Sequence, residues 1–336
     1  MQTNLFELRF VNLEDLVFHE TCDFKRTQKL AEEIEKDGHL KNPVLVGSIK
    51  TEDGEKLNHG KGEKLHVGSG CPRPEPLKVS MSNHELLRDK GATQQQLNHG
   101  KGEKLLVLDG VNRVCALRLL NITDVLVQMV DYEDERVKLS SWSHLIFDAQ
   151  KEEIIKKIKD LNMEISFCPL NWKKEALNHQ KSISYFLFRD SSGFVVSNGM
   201  NHTVHSKGSL APEDKVKNLC KLMATYNGRS EICYLDSDNH LLSVFEHFKN
   251  SSAINLIPQF AKKEILDLVQ KGILLPFGVT RFIVPHRILG LEVSCSVLSA
   301  HTPLSEKNLF LKDLLAYRIK TKKAKFYQES VTLFNE

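Results

Sequence analysis

The sequence lacks long apolar runs and lacks a surplus of charge of one sign. No stretch reaches the roughly 18 apolar residues that a transmembrane helix requires, so no membrane-spanning segment is predicted. A total of 46 lysines and arginines against 43 aspartates and glutamates leaves a net charge of +3. A dedicated nucleic-acid-binding protein carries a strong basic surface, which this composition does not supply. The basic stretches at 156–159 and 318–325 are typical of solvated helix faces.

Paired cysteines and the spacings of common metal sites are also missing. The seven cysteines are dispersed, without a CxxC pair or a Cys/His cluster at zinc spacing. The opening segment MQTNLFELRF has no basic stretch followed by an apolar one, so a secretory signal is not predicted. We therefore expect a cytoplasmic protein with reduced thiols. The motifs GxGxxG, GxSxG and HExxH do not occur.

Apolar patterns of two periodicities alternate along the chain and predict a mixed fold. A helix is predicted from Phe24 to a stop at Gly38, and the strand LLVLDG is followed by the helix VNRVCALRLLN. Two hairpins are predicted, at 183–198 and 232–245. The length of 336 residues allows two modest domains, or one large domain with an extension. We expect an α+β (mixed α/β) fold, with an N-terminal domain at 1–150 and a smaller α/β domain at 151–336.

A repeated nonapeptide marks an insertion within the first half. LNHGKGEKL occurs at 57–65 and again at 97–105, with a segment rich in Gly, Pro and Gln between the copies. Two short copies are too few for a solenoid. Since the entropy cost of closing a loop grows only logarithmically with its length, a hairpin tolerates a long insertion. We expect residues 66–105 to be a poorly ordered insertion in a hairpin loop.

The turn LDGVNR (108–113) is the first candidate site. A strand-to-helix turn with Gly110 lets backbone N–H groups converge at a helix N-terminus, which favours phosphate. Asp109 supplies a carboxylate for a metal or an acceptor hydroxyl, and Arg113 supplies a forked cation for phosphate oxygens. An ordinary turn followed by a helix cap would explain the same residues.

Two further segments carry polar residues at the ends of predicted strands. In FHETCD (18–23), Glu20 beside His19 could act as a general base on a hydroxyl, or it could stabilise a helix N-terminus. In GVTRFIVPHR (278–287), Thr280 and Arg281 could hold a small anion, or could lie on an exposed polar strand edge. Trp142 could cover a small ligand or pack in the core.

The order of these segments resembles a known family. The run from Val11 to Tyr132, with DGHLKNPVLV and LLVLDGVNRVCALRLLNITDVLVQMVDY, is similar to the ParB/sulfiredoxin superfamily. Within it, the chain resembles the free L-serine kinases, which carry an HE pair, a DGxxR turn, a downstream tryptophan and a TR segment. The resemblance covers about 80 residues well and the second half loosely. It implies a ParB/sulfiredoxin-like nucleotide-binding domain at 1–150.

The resemblance implies a kinase that phosphorylates the hydroxyl of free L-serine, giving O-phospho-L-serine for siderophore or cysteine precursors. ATP or ADP would be the phosphate donor and Mg²⁺ the metal. Glu20 would be the catalytic base, and Asp109 would assist with the metal or the hydroxyl. The implied nucleotide-binding residues are His19, Gly110, Asn112 and Arg113. The implied serine-binding residues are Trp142, Thr280 and Arg281.

The chain departs from the family pattern at the turn and after the TR pair. The archaeal kinases have two histidines where this chain has Val111 and Asn112, and a histidine commonly follows their TR pair where Phe282 stands here. The alternative is a ParB-like DNA-binding regulator without kinase activity, but GVNRVCA lacks the second arginine of the partition-protein box. Sulfiredoxin itself would need a cysteine at Val111. DNA is therefore a less favoured partner than serine and a nucleotide.

Overall fold

The computed structural model describes residues 7–48, 104–172, 182–198, 210–227, 230–235, 241–326 and 331–334. The insertion predicted at 66–105 lies outside these ranges except for its last two positions. Leu105, which the repeat assigns to the insertion, is instead the first residue of a buried strand. The prediction of poor order therefore falls on residues that are not described.

The chain divides into two compact units, and the first is discontinuous in sequence. Its described residues run up to Lys138 and resume at Phe282, while Leu139–Arg281 belong to the second unit. The sequence placed a single division at 150. The described part of the chain is mixed α and β, as predicted.

The first stretch of the chain forms most of one sheet and two helices. Its elements, with a 3-10 turn at Leu13–Asp15, are β1 (Glu7–Asn12), β2 (Leu16–Val17), α1 (Phe24–Asp37), β3 (His39–Leu40), β4 (Val44–Ser48), β5 (Leu105–Asp109), α2 (Val111–Leu119) and β6 (Asp124–Asp131).

The middle stretch follows, and its first and last strands span the positions where the chain passes between the units. Its elements, with a 3-10 turn at Leu170–Trp172, are β7 (Lys138–Ser141), β8 (Ser143–Phe147), α3 (Lys151–Asp160), β9 (Met163–Phe167), β10 (Ser182–Phe188), β11 (Gly193–Asn198), α4 (Pro212–Met223), β12 (Ile232–Leu235), α5 (Leu241–His247), β13 (Ser251–Leu256), α6 (Lys262–Gln270) and β14 (Thr280–Ile283).

The last stretch returns to the first unit. Its elements are β15 (Arg287–Leu289), β16 (Val293–Ser294), α7 (Cys295–Ser299), α8 (Leu304–Lys320), β17 (Ala324–Phe326) and β18 (Val331–Phe334).

A five-stranded sheet in the order β1-β6-β4-β5-β2 forms the centre of the first unit. Strand β6 is antiparallel to β1 and parallel to β4, and β5 is antiparallel to β4. Three consecutive β6 residues, Val125, Leu126 and Val127, are at most 1% exposed, so the strand is buried on both faces. This explains why these three residues form a continuous apolar run rather than an alternating pattern.

Helix α1 has the ends that its sequence predicts. Asp23 caps its N-terminus by accepting from the backbone N–H of Arg26, and Gly38 ends it with φ of 68°. Its buried face carries Ala31 and Ile34. This geometry places the HET segment directly before the helix.

The returning stretch is attached to the first sheet by specific bonds. Asn308 of α8 accepts from the backbone N–H of Phe10 in β1, and β16 pairs antiparallel with β3. The buried amine of Lys307 lies 2.7 Å from Asp124 and donates to the carbonyl of Leu298. These bonds explain why the C-terminal residues join a unit that sequence order alone assigns to the N-terminal half.

The second unit is centred on a six-stranded sheet in the order β12-β8-β13-β10-β11-β9, whose neighbours are all antiparallel. The hairpin predicted at 183–198 is confirmed as β10 and β11. The hairpin predicted at 232–245 is wrong in its second half, which begins helix α5. Leu241 and Phe245 lie one helical turn apart and are both buried, so a helix buries this apolar pair on one face. Within the described residues, no helix has both the length and the apolar character needed to cross a membrane.

Candidate active site

The turn between β5 and α2 presents the candidate phosphate-binding backbone. Gly110 precedes the helix with φ of 105° and ψ of 20°, a conformation that L-residues rarely adopt. Gly110, the N-cap residue of α2, has no side chain with which to cap the helix. The first backbone N–H groups of a helix have no partner within the helix, and their dipoles favour an anion. The turn is therefore built as the sequence predicts, with Asp109 immediately before it.

Asp109 lies between two arginines. Its Oδ2 accepts from Arg113 and from Arg287, each at 2.7 Å. Burial alone would raise the pKa of this carboxyl, but the two guanidinium groups outweigh that effect and lower the pKa to about 2. Asp109 is consequently ionised at neutral pH.

Arg113 is bound mainly to the protein itself. Its Nη1 donates to the carbonyls of Asn42 and Pro43, at 3.2 and 2.7 Å, and its Nη2 donates to Asp109. Its side chain is 17% exposed. The guanidinium thus ties the turn to the segment that enters β4. Its role toward phosphate stays a prediction.

His19 is buried and neutral. Its Nδ1 lies 2.8 Å from the carbonyl oxygen of Val107 in β5, so this nitrogen carries the proton. Burial lowers its pKa to about 4 against the opposing effects of the Val107 bond and the charge of Asp109. The edge of its ring meets Phe282, with centroids 5.5 Å apart. His19 therefore fixes the HET segment on the strand that ends in Asp109.

Glu20 follows on the same segment. Glu20 is 9% exposed, and its Oε1 lies 4.0 Å from Nε2 of His19. Because His19 is neutral, this contact is not an ion pair at neutral pH. Glu20 is thus a largely buried carboxyl group on a segment that His19 and Asp23 tie to β5 and α2.

Asn112 joins the HET segment to the turn. Its Oδ1 accepts from the backbone N–H of Asp23 at 2.9 Å and from the hydroxyl of Thr27 at 3.2 Å. One amide oxygen in α2 therefore holds the N-terminus of α1. Together with the His19–Val107 bond, it brings Glu20 and Asp109 into one structure, although they are far apart in sequence.

The three predicted serine-binding residues lie in the second unit. The guanidinium of Arg281 lies over the Trp142 ring, 5.0 Å from its centroid. The backbone N–H of Trp142 donates to the carbonyl of Val279, and Thr280 is buried. The structure thus groups these residues around one strand. The six predicted residues from His19 to Arg113 belong to the first unit.

A buried polar network supports that strand. Nε2 of His144 donates to the carbonyl of Gly278 at 2.6 Å, and its Nδ1 accepts from the hydroxyl of Tyr226. Asn255 donates to the same hydroxyl at 2.8 Å. Burial lowers the pKa of His144 to about 4. A neutral histidine therefore fixes the backbone that leads into Thr280.

Sequence reasoning missed two residues of the first unit. Arg287 contacts Asp109, and Gln128 binds the backbone on both sides of Arg287. The available signals were the final arginine of GVTRFIVPHR and a lone glutamine in the apolar strand DVLVQMVD. Neither pattern reveals its partner, because the partners are distant in sequence.

The described residues contain no group of three or more His, Cys, Asp or Glu side chains that could hold a metal ion. Asp109 is the predicted metal ligand, and it offers one carboxylate. Its Oδ2 already accepts from two guanidinium groups, so a metal ion bound here would take most of its ligands from phosphate oxygens and water.

Comparison with known proteins finds similarity in structure. No protein-family model and no curated protein sequence matches the chain. SbnI with a C-terminal truncation, from Staphylococcus aureus, has a TM-score of 0.58 and 18% identity, covering 93% of this chain and 97% of that chain. A conserved hypothetical protein from Pyrococcus furiosus has the same TM-score and 15% identity, covering 87% and 97%. Free serine kinase in complex with AMP has a TM-score of 0.55 and 15% identity, covering 86% and 91%. The chain therefore has the fold that SbnI and free serine kinase share.

Proposed function

We propose that the protein is a kinase that transfers a phosphoryl group from ATP or ADP to the hydroxyl of free L-serine. The observation that carries the proposal is the joining of Glu20 and the β5–α2 turn through Asn112 and His19. The shared fold supports it, because free serine kinase has been solved in complex with ADP and with AMP. The product would be O-phospho-L-serine, a precursor suited to siderophore or cysteine synthesis.

Glu20 is the proposed base. A carboxylate accepts the proton of the serine hydroxyl as its oxygen attacks the transferred phosphorus. The neutral state of His19 matters here, because a histidinium would form an ion pair with the carboxylate and make it a weaker base. His19 therefore orients Glu20 without neutralising it.

The turn is the proposed phosphate cradle. The backbone N–H groups at the N-terminus of α2 and the guanidinium groups beside Asp109 would supply donors and positive charge. Phosphoryl transfer requires mainly positioning and neutralisation of charge, and these groups would supply both. Asp109 would hold Mg²⁺, which would neutralise charge on the phosphate oxygens when bound.

Thr280 and Arg281 are the proposed partners of the serine carboxylate, with Trp142 beside them. The cation–π contact limits the directions in which the Arg281 side chain can point. An oriented guanidinium binds a carboxylate through two parallel hydrogen bonds, which gives specificity for an amino acid over a simple alcohol.

The test is formation of O-phosphoserine from L-serine, Mg²⁺ and either ATP or ADP. We expect product with at least one donor, and loss of product in Glu20→Gln with nucleotide binding retained. Glu32→Gln is the control, because Glu32 is an exposed carboxylate on α1. Absence of product with both donors would overturn the proposal, and salt-dependent DNA binding without turnover would favour a regulator instead.

A further inference from the structure

The two arginines that bind Asp109 differ in how many hydrogen bonds their guanidinium groups make to other protein atoms. Arg113 makes three bonds to protein oxygens, two of them to backbone carbonyls of the segment before β4. Arg287 makes one short bond, from Nη1 to Asp109 at 2.7 Å, and a long one of 3.5 Å to the carbonyl of Phe282. Its side chain is 31% exposed, against 17% for Arg113. Arg287 therefore retains more capacity to bind a ligand.

The charges at Asp109 do not balance. One carboxylate, that of Asp109, lies between two guanidinium groups, each 2.7 Å from its Oδ2. The cluster thus carries one surplus positive charge. Arg287, the more exposed of the two arginines, makes this charge accessible to a ligand. An arginine remains charged at any accessible pH, so a bound anion is the means of neutralising this surplus.

A buried glutamine fixes the position of Arg287. Gln128 is 3% exposed and lies in β6, whose other central residues are apolar. Its Nε2 donates to the carbonyl of His286 at 2.7 Å, and its Oε1 accepts from the backbone N–H of Ile288 at 3.0 Å. Burying an amide costs free energy unless it is bonded, and both bonds of this one are to the residues that flank Arg287.

A second bond holds the far end of the same strand. The side-chain oxygen of Asn42 accepts from the backbone N–H of Gly290 at 2.7 Å, and the Asn42 carbonyl accepts from Arg113. Strand β15 is therefore held on the side of Gln128 and on the side of Asn42. Such fixed placement is typical of a residue with a binding role.

We infer that Arg287 binds a phosphate group of the nucleotide, that Gln128 is its positioning residue, and that Arg113 positions Asp109. This inference rests on the proposed nucleotide-dependent function. It assigns the phosphate contact to an arginine outside the DGVNR turn. The guanidinium of Arg287 keeps its Nη1 bond to Asp109 and donates from its other nitrogens to phosphate oxygens.

The first test measures ADP binding by calorimetry, without turnover. Arg287→Gln should weaken ADP binding by about tenfold or more, because a charge-assisted bond is lost, and Arg287→Lys should restore part of the affinity. Arg136→Gln is the matched control, since Arg136 is 74% exposed and pairs with Asp134 in the same unit. Arg113→Gln should lower the unfolding temperature more than Arg287→Gln does. Unchanged ADP affinity in Arg287→Gln would overturn the inference.

The second test is a double-mutant cycle between Gln128 and Arg287. Gln128→Glu keeps the acceptor for Ile288 and removes the donor to His286. It should weaken ADP binding in the wild-type background and have little further effect in Arg287→Gln. An equal effect in both backgrounds would show a merely structural role for Gln128. Gln128→Leu, followed by the same measurement, provides a second variant should the glutamate disturb folding.

The outcomes separate this inference from the kinase proposal. ADP binding that depends on Arg287, with no O-phosphoserine formed, would sustain the phosphate contact and overturn the kinase. O-phosphoserine formation with ADP binding unaffected in Arg287→Gln would sustain the kinase and overturn the contact. Wild-type protein that binds neither ADP nor pyrophosphate would overturn both.

Discussion

Asp109 in the first unit and His144 in the second unit each hold two polar partners, but the surroundings differ. Asp109 lies with two guanidinium groups in a cluster whose side chains are 17–43% exposed. His144 is fully buried and belongs to a neutral chain of bonds that runs from Asn255 through Tyr226 to the carbonyl of Gly278. The Asp109 cluster presents charged side chains near the surface, whereas the His144 network holds the backbone at Gly278 in place.

The difference follows from the energetics of burial. A charge retains most of its solvation only near the surface, and a partly exposed guanidinium can exchange water for phosphate at low cost. A neutral donor–acceptor chain can be buried completely when each member is bonded. We therefore expect substitutions around Asp109 to affect ligand binding as well as stability, and those around His144 to affect stability alone.

The largest expected effect is on stability at acid pH. His19 and His144 have folded-state pKa values of about 4, below the ordinary 6.5, so the unfolded chain takes up protons first as the pH falls. Each histidine contributes stability that is present above pH 6.5 and lost between pH 6.5 and 4. The full loss is about 3 kcal/mol for each.

Each unit allows a separate measurement of this loss. Trp142 and Trp172 both lie in the second unit, so tryptophan fluorescence during urea unfolding reports on His144. Amide exchange of the β5 peptide, corrected for its intrinsic pH dependence, reports on His19. His144→Gln should flatten the first pH profile alone, and His19→Gln the second alone. Exposed His39 supplies the control, His39→Gln, and equal flattening by this variant would contradict the assignment.

Gly110 and Gly272 permit a smaller, matched comparison. Both have positive φ, but a Cβ at Gly110 would lie 3.0 Å from the Arg113 guanidinium, whereas a Cβ at Gly272 would meet nothing within 4 Å. Gly272→Ala should cost about 1 kcal/mol of unfolding free energy, and Gly110→Ala about 2 kcal/mol. Only Gly110→Ala should also weaken ADP binding. Equal losses in urea unfolding would show that Arg113 moves away freely.

Substitutions of Asn112 separate its structural role, which is to hold the N-terminus of α1, from its proposed role in nucleotide binding. Asn112→Ala removes the acceptor for Asp23 and Thr27 and should cost about 1–2 kcal/mol of unfolding free energy. Asn112→Asp keeps an acceptor and should retain most stability, while its negative charge weakens ADP binding. Urea unfolding and calorimetry check the two effects. Equal ADP affinity in Asn112→Asp and wild type would place the phosphate away from this turn.

The sequence predicted the parts of the first unit that depend on local chemistry. The helix from Phe24 to Gly38 and the turn at Gly110 are confirmed, because caps and positive φ leave a signature within a few residues. The resemblance to serine kinases is confirmed at the level of fold. The assigned roles of the site residues stay predictions.

What the sequence did not predict depends on contacts between distant segments. Arg287 meets Asp109 from 178 positions away, and Gln128 meets His286 from 158 positions away. Neither periodicity nor turn chemistry reports such pairs. Likewise, the return of the chain to the first unit at Phe282 rests on bonds such as that of Asn308 to Phe10. A lone buried glutamine in an apolar strand signals that a partner exists, without identifying it.

The smallest expected effect concerns Arg281 over Trp142, a contact of the second unit. Arg281→Gln should cost about 0.5–1 kcal/mol of unfolding free energy, the usual worth of a cation–π contact. Lys215→Gln is the matched control, because Lys215 lies over Phe260, 4.1 Å from the ring centroid, in the same unit. Both variants should lose similar stability in urea unfolding.

Only Arg281→Gln should raise KM for L-serine, since the guanidinium is the proposed partner of the serine carboxylate, and it should leave ADP affinity unchanged. This result would show that the second unit also binds through charge, through a guanidinium that lies over an aromatic ring. An unchanged KM for serine in Arg281→Gln would confine charge-based binding to the first unit and leave the second with a purely structural contact.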